Sequence, residues 1–224
     1  MNDNYKWKGV TFNSKGIIIE KVPQIPRAKH SYQTYEIPGR SGFLTIDNET
    51  YETIPFSMEC HFKESADIND IRAFLDGYGT LQVDNEKVYT GYISNQIDWN
   101  KVLNFRKFII QFRLQPIAKA LTPTTVSRTT TGTFTSDTYT KAYPKITIAC
   151  SGNTTINLNG TAFTLHSASG TYILDCEAKV ITKSGVNASG IMSGEFPYII
   201  NGTNNLTVTG TVTSMTMEYN KTYI

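Results

Sequence analysis

Apolar and polar residues alternate with a period of two along much of the first half of the chain, which is the pattern of β-strands buried on one face. Shorter alternating runs predict further strands at residues 7–12, 16–22, 80–83 and 87–94. The apolar positions of the two longest runs are Phe56, Met58, Cys60 and Phe62, and Phe108, Ile110, Phe112 and Leu114.

One segment of the first half has a helical period instead. Over residues 67–75, Ile68, Ile71, Phe74 and Leu75 fall on one face of a helix. Ser65 or Asp67 precedes this face as a candidate N-cap, and Gly77 follows it as a stop signal. The first half is therefore predicted to be a β-sandwich-like domain, two strand-rich layers with a single covering helix.

The second half predicts short strands divided by turns, as in a small β-sandwich. Asn159-Gly160 lies between two apolar alternations and predicts a type I′ hairpin. The apolar alternation changes parity between Gly210 and Ser214, which predicts a turn or a bulge. The expected inward positions are Ile146, Ile148, Cys150, Ile156, Leu158, Phe163, Leu165, Tyr172, Leu174 and Cys176.

Composition changes near residue 120. Residues 1–120 hold 15 Lys/Arg, 14 Asp/Glu and 7 Thr, whereas residues 121–224 hold 6, 5 and 24. Residues 121–140 are rich in Thr and Ser without a sustained apolar period, which is typical of a linker. We therefore expect a domain at 1–120, a linker or arm at 121–140 and a second domain at 141–224.

Charge and cysteine content narrow the functional class. The net charge of +2 argues against a nucleic-acid-binding surface. No apolar run is long enough to span a membrane, and residues 1–10 lack the apolar core of a signal peptide. The three cysteines have no metal-site spacing, so a reduced, cytosolically made protein with packed thiols is expected.

The titratable residues do not form a recognisable catalytic pattern. Cys60 and His61 face opposite sides of one strand and so cannot bind one metal ion. His166 could approach Asp175 or Cys176, although a turn or edge position is the more common case. No nucleophile elbow or phosphate-binding glycine motif occurs, so neither an enzyme nor a cofactor is expected. The acidic residues weighed as paired carboxylates, and attributed instead to solvated positions, are Glu36, Asp47, Glu52, Glu59 and Asp98.

Aromatic residues are numerous, with 13 Tyr, 11 Phe and 2 Trp. Most of the phenylalanines fit core positions, but several Trp and Tyr residues fit either a protein interface or a surface that stacks on sugar rings. These candidates are Trp7, Trp99, Tyr32, Tyr35, Tyr89 and Tyr92.

A rigid loop joins two extended runs at residues 37–42, which read Ile-Pro-Gly-Arg-Ser-Gly. Pro38 restricts its own φ, and Gly39 and Gly42 permit a tight reversal. Arg40 is therefore presented from a nearly fixed backbone. The candidate interface loop consists of Pro38, Gly39, Arg40, Ser41 and Gly42.

This loop and three later motifs resemble the distal tail (Dit) proteins of siphophages of Gram-positive bacteria. The later motifs are Leu-Asp-Cys at 174–176, Gly-Glu-Phe-Pro at 194–197 and an Asn/Thr/Gly-rich segment at 201–210. Asn201 stands where the family pattern has a proline. The family-motif positions are Asp175, Cys176, Gly194, Phe196, Pro197, Gly202 and Asn204.

The resemblance implies a structural protein of the virion tail tip, made in the host bacterial cytoplasm. Six copies would form a ring between the tail tube protein and the tail-associated lysin or tail fibre, and DNA would pass through the lumen without specific binding. The second domain would be galectin-like and could hold a receptor-binding protein. The alternative is an adhesin whose second domain contacts host cell-wall sugars.

Overall fold

A computed structural model describes residues 5–21, 24–97 and 107–224. These residues form two compact units, one running to Ala118 and including Ile224, and the other spanning Lys119–Tyr223. Val22, Asp98 and Trp99 lie outside the described residues. They are the predicted end of a strand, a predicted solvated carboxylate and a candidate interface residue.

The first unit is built on one antiparallel sheet with the strand order β2-β1-β7-β8-β9-β6-β3. A separate hairpin, β4-β5, a 3₁₀ turn at Asn13–Lys15 and one α-helix complete the unit. The elements are β1 (Lys6–Trp7), β2 (Val10–Thr11), β3 (Ile17–Ile19), β4 (His30–Glu36), β5 (Phe43–Tyr51), β6 (Ile54–Phe62), α1 (Ile68–Leu75), β7 (Tyr78–Gln82), β8 (Lys87–Ile93) and β9 (Lys107–Leu114).

Burial in the first unit follows the alternation of the sequence. The apolar positions of β6 and β9 are buried, and Phe56 pairs with Phe112 across the two strands. Asp67 caps α1 by accepting a hydrogen bond from the Asn69 backbone N–H at 2.9 Å, so the cap and the helix are confirmed. Residues 7–12, predicted as one strand, instead reverse at Lys8 and Gly9, which both have positive φ.

The second unit contains one bent sheet with the order β11-β18-β13-β14-β15-β16, with β12 on β18 and β17 on β14. A 3₁₀ turn covers Ser189–Ile191. The strands of this sheet are β11 (Thr124–Ser127), β12 (Gly132–Ser136), β13 (Lys145–Leu158), β14 (Thr161–Asp175), β15 (Val180–Lys183), β16 (Val186–Asn187), β17 (Met192–Gly194) and β18 (Gly202–Tyr219). Two short strands outside this sheet, β10 (Ala118–Ala120) and β19 (Thr222–Tyr223), pair with each other.

Three long strands replace the short strands that the sequence predicted here. β13, β14 and β18 contain 14, 15 and 18 residues. Each holds a glycine with positive φ in its middle: Gly152, Gly170 and Gly210. Side chains from both ends of these strands share one core, so the sheet folds over on itself.

Two local predictions in this unit are confirmed. Asn159 and Gly160 have φ of 55° and 89°, as a type I′ turn requires. The pairing of β13 with β18 shifts where Ala149 and Cys150 face Ser214 and Val212, which leaves Thr213 as the extra residue of a bulge. The mostly β fold with one α-helix is also confirmed.

Residues 121–140 differ from the expected linker. β11 and β12 both pair with β18, and Phe134 and Thr138 are buried. Thr is favoured in strands, and a backbone ladder does not require apolar alternation. A Thr-rich segment can therefore be ordered by pairing with a long neighbouring strand. The division of the whole chain into two domains stays a prediction.

The three cysteines yield a test of this packing. Cys60, Cys150 and Cys176 are free and buried. Burial raises the pKa of Cys60 and of Cys176 to about 12, and because the thiolate is the reactive form, both thiols stay protonated and inert at neutral pH. We expect maleimide labelling at pH 7–9 to be slow in the native protein and fast in denaturant. Rapid native labelling of any cysteine would contradict the fold described here.

Candidate functional site

The loop at residues 38–42 connects the two strands of a hairpin that stands apart from the main sheet. Among the described strands, β4 and β5 pair with each other alone, from His30 opposite Tyr51 to Glu36 opposite Phe43. Gly39 and Gly42 have φ of 81° and 84°, which explains the glycines. The Arg40 backbone N–H donates to the Ile37 carbonyl at 3.1 Å and closes the turn.

The hairpin exposes large apolar side chains. Tyr35 pairs with Leu44, and Gln33 with Ile46, so these residues share one face of the hairpin with Ile37. Tyr35, Ile37, Leu44 and Ile46 are 50%, 41%, 42% and 45% exposed. We call these four residues the apolar hairpin face. A two-stranded hairpin is marginally stable alone, and contiguous apolar patches mark interaction sites.

Arg40 lies beside this face. A shallow cavity of about 500 Å³ is lined by Glu36, Ile37, Pro38, Arg40, Gly42 and Phe43. Among the residues that the structure describes, the Arg40 guanidinium has no ion-pair partner within 4.0 Å. A guanidinium presents several donors in a planar fork, so it is suited to a carboxylate of another chain.

The family-motif residues Asp175 and Cys176 build a turn and a core contact. The Asp175 carboxylate accepts hydrogen bonds from the backbone N–H groups of Glu177 and Ala178 at 3.1 and 2.8 Å. Cys176 is fully buried and its backbone N–H donates to the Pro144 carbonyl at 3.1 Å. The Asp-Cys pair therefore ends β14 and begins the turn to β15.

Gly194, Phe196 and Pro197 hold the segment after β17 against β14. Gly194 has φ of 96°, and a Cβ on it would lie 2.3 Å from the Ala162 carbonyl oxygen. Pro197 is buried and Phe196 is half-buried. Only glycine allows this backbone approach.

Gly202 and Asn204 lie at the start of β18 and hold the turn that leads into it. Gly202 has φ of 82°. The fully buried Asn204 side chain accepts from the Ile200 N–H and the Asn159 amide, and donates to the carbonyls of Ile200 and Gly202, at 2.7 to 3.1 Å. Every hydrogen-bonding group of the Asn204 amide thus has a partner within the protein.

The aromatic candidates separate by burial. Trp7 is fully buried and Tyr89 is 9% exposed, so both belong to the core of the first unit. Tyr32, Tyr35 and Tyr92 are 54%, 50% and 43% exposed. The first two lie on the β4–β5 hairpin and the third on β8, and the exposed rings can contact another molecule.

The histidines occupy polar surface contacts. His61 Nδ1 lies 3.1 Å from a Glu20 oxygen, and the Lys107 hydrogen bond to Glu20 is the main cause that lowers the pKa of that carboxyl. His166 Nε2 lies 2.7 Å from Ser193 Oγ. His166 is exposed, whereas the Asp175 carboxylate accepts from the backbone N–H groups of its own turn and Cys176 is fully buried. Among the described residues, no hydrogen bond joins His166 to Asp175 or Cys176, as the suggested approach would require.

The described ranges hold neither a metal-binding cluster nor a membrane-spanning helix. Residues 5–21, 24–97 and 107–224 contain no group of three or more His, Cys, Asp or Glu side chains placed to hold a metal ion. Within those same ranges, no helix combines the length and the apolar character needed to cross a membrane.

Comparison with known proteins adds a structural match. No protein-family model matches this sequence, and no curated protein matches it. The crystal structure of the Dit protein of SPP1, described as a paradigm of the hub adsorption apparatus in phages that infect Gram-positive bacteria, superposes with a TM-score of 0.77. The match covers 99% of each chain at 11% sequence identity. The chain has the Dit fold.

Two features of this Dit fold were not recognised from the sequence. Leu44 and Ile46 of the apolar hairpin face alternate with polar residues, a signal that was present but short. A group of lysines lies over tyrosine and phenylalanine rings in the second unit. The sequence signals of this group are Lys-x-Tyr at 141–143 and Phe-x-Tyr at 196–198. Neither pattern alone indicates a cluster, because only the folded turns bring the two segments together.

The two motif glycines make a matched pair for testing. Gly202→Ala places a side chain at positive φ in open space, so we expect a cost of about 1–2 kcal/mol. Gly194→Ala adds the clash with the Ala162 carbonyl and should lower the free energy of unfolding by a further 1–3 kcal/mol or so. Urea unfolding of both variants measures the difference, and equal stability would contradict the close approach at Gly194.

Proposed function

We propose that this protein is a structural hub at the distal end of a phage tail. The observation that carries the proposal is the Dit fold, which extends over 99% of this chain and of the SPP1 protein. That protein is described as part of a hub adsorption apparatus of phages that infect Gram-positive bacteria. The proposed role is mechanical and geometric, without a catalytic step.

We infer that six copies close into a ring through the first unit. In a cyclic ring each contact joins two different patches, so one patch must project to the neighbour. The apolar hairpin face fits this need because about half of each of its large side chains is exposed and available to a neighbouring copy. Arg40, at the tip of the same hairpin, would then meet a carboxylate of the neighbouring copy.

The proposed partners follow from a place at the tail end. The ring would contact the tail tube protein on one side and the tail-associated lysin or tail fibre on the other, and the second unit could hold a receptor-binding protein. DNA would pass through the lumen without specific binding, which suits a net charge of only +2.

Light scattering of the full chain tests ring formation. We expect a hexamer, and we expect Leu44→Ser with Ile46→Ser to weaken each contact by roughly 2 kcal/mol, since about half of each side chain remains to be buried. Thr45→Ala, on the opposite hairpin face, should leave assembly unchanged. A folded wild-type protein that stays monomeric at every concentration, and in tails as well, would overturn the ring.

Arg40→Glu tests the loop separately. The loop is exposed, so the protomer should keep its circular dichroism spectrum and melting temperature. Breaking a buried charge pair typically costs about 3–5 kcal/mol, and the cost recurs at every contact of the ring, so assembly should largely fail. Arg40→Gln removes the pair without adding repulsion and should have a smaller effect. If Arg40→Glu forms rings as well as the wild-type protein, Arg40 is a solvated turn residue and not part of the interface.

A further inference from the structure

Five side chains from three separate segments of the second unit form a cluster of lysines on aromatic rings. Lys141 Nζ lies 4.7 Å from the centroid of the Tyr198 ring. Lys179 Nζ lies 4.6 Å from the Tyr143 centroid and 5.4 Å from that of Phe196. Tyr143 and Tyr198 meet edge to face at 6.2 Å. We call these five residues the lysine–tyrosine cluster.

The backbone of Lys179 supports a role for its side chain. Lys179 has φ of 57°, in the left-handed region that costs a non-glycine residue conformational energy. Gly or Asn would adopt this turn more readily. A lysine here costs stability, yet its ammonium group is held near two rings. Strain of this kind is often found at functional sites.

The acidic residues of the second unit do not pair with Lys141 or Lys179. Asp137 pairs with Lys221, and Glu177 with Lys119. Lys145 stands opposite Asp175 on one neighbouring strand and Glu218 on the other. The remaining acidic residue among positions 119–223 is Glu195, which is exposed.

Within the described residues, Lys141 and Lys179 thus contact rings and have no carboxylate within 4.0 Å. Cation–π contact places an ammonium group without neutralising it, because the ring carries no net charge. Both lysines keep N–H donors for an anion.

We propose that the lysine–tyrosine cluster binds phosphate groups carried on a polyol or sugar chain. Two ammonium groups supply the charge-assisted hydrogen bonds that a phosphate oxygen accepts. Tyr143 is 40% exposed, and its ring and hydroxyl add an amphipathic surface for the polyol part of the ligand. This binding is independent of ring formation and goes beyond the hub function.

Isothermal titration of the full chain with poly(glycerol phosphate) tests the proposal. Dextran serves as the neutral polymer, and inorganic phosphate as the free anion. We expect binding to poly(glycerol phosphate), none to dextran, and much weaker binding to inorganic phosphate. Affinity should fall as salt rises, because exposed charges are screened.

Substitutions then locate the site. Lys179→Asn keeps a residue that tolerates the left-handed backbone and removes the ammonium group, so the protein should stay folded and lose about tenfold in affinity or more. Lys179→Arg should retain binding. Lys183→Gln is the matched control, because Lys183 Nζ lies 5.3 Å from the single ring of Tyr172, outside the cluster. Glu195→Gln should not weaken binding.

Three results would overturn the proposal. The first is that poly(glycerol phosphate) does not bind, or binds no better than dextran. The second is that Lys183→Gln loses as much affinity as Lys179→Asn, which would indicate general attraction to a basic surface. The third is equal affinity per phosphate for inorganic phosphate, which would remove the polyol from the ligand. Melting temperatures show that each variant is folded.

Discussion

The second unit depends on three long antiparallel strands that must bend so that one sheet can bury its own apolar face. β13 forms backbone ladders with both β14 and β18, and glycines at positive φ interrupt all three strands midway. At Gly210 a Cβ would lie 2.4 Å from the Asn153 carbonyl oxygen, so the bend excludes any larger residue. Without these bends the side chains at the two strand ends could not share one core.

The same constraint explains why the family-motif residues are structural. Gly194 and Gly202 permit close or left-handed backbone, Asp175 closes a turn, and Asn204 satisfies the buried backbone groups that the turn leaves unpaired. A buried polar group without partners costs free energy, so a fully hydrogen-bonded Asn at this position specifies the turn.

The exposed residues proposed for assembly and for binding lie outside the hydrophobic cores of the two units. In the first unit the hairpin stands apart from the main sheet and exposes large apolar side chains, which another chain could cover. In the second unit the lysine–tyrosine cluster lies on turns between strands, where side chains are not required for the ladder. A rigid β scaffold with variable loops can combine an assembly role and a binding role in this way.

The sequence by itself determined the strand faces, the helix with its Asp67 cap, the Asn159-Gly160 turn and the bulge near Thr213. These features rest on local periodicity and on turn chemistry, which neighbouring residues alone express. The resemblance in short motifs also indicated the Dit fold, because turn residues recur where the backbone needs them.

Only the tertiary structure decided how long the strands run, what orders residues 121–140 and which surface residues meet. A positive-φ glycine can either end a strand or bend it, and the outcome depends on partner strands distant in the chain. β11 and β12 are ordered by β18, whose paired residues lie 66 to 95 positions further along the sequence. Lys141, Lys179 and Tyr198 likewise become neighbours through turns that the core positions, because long-range pairing brings together what local periodicity cannot relate.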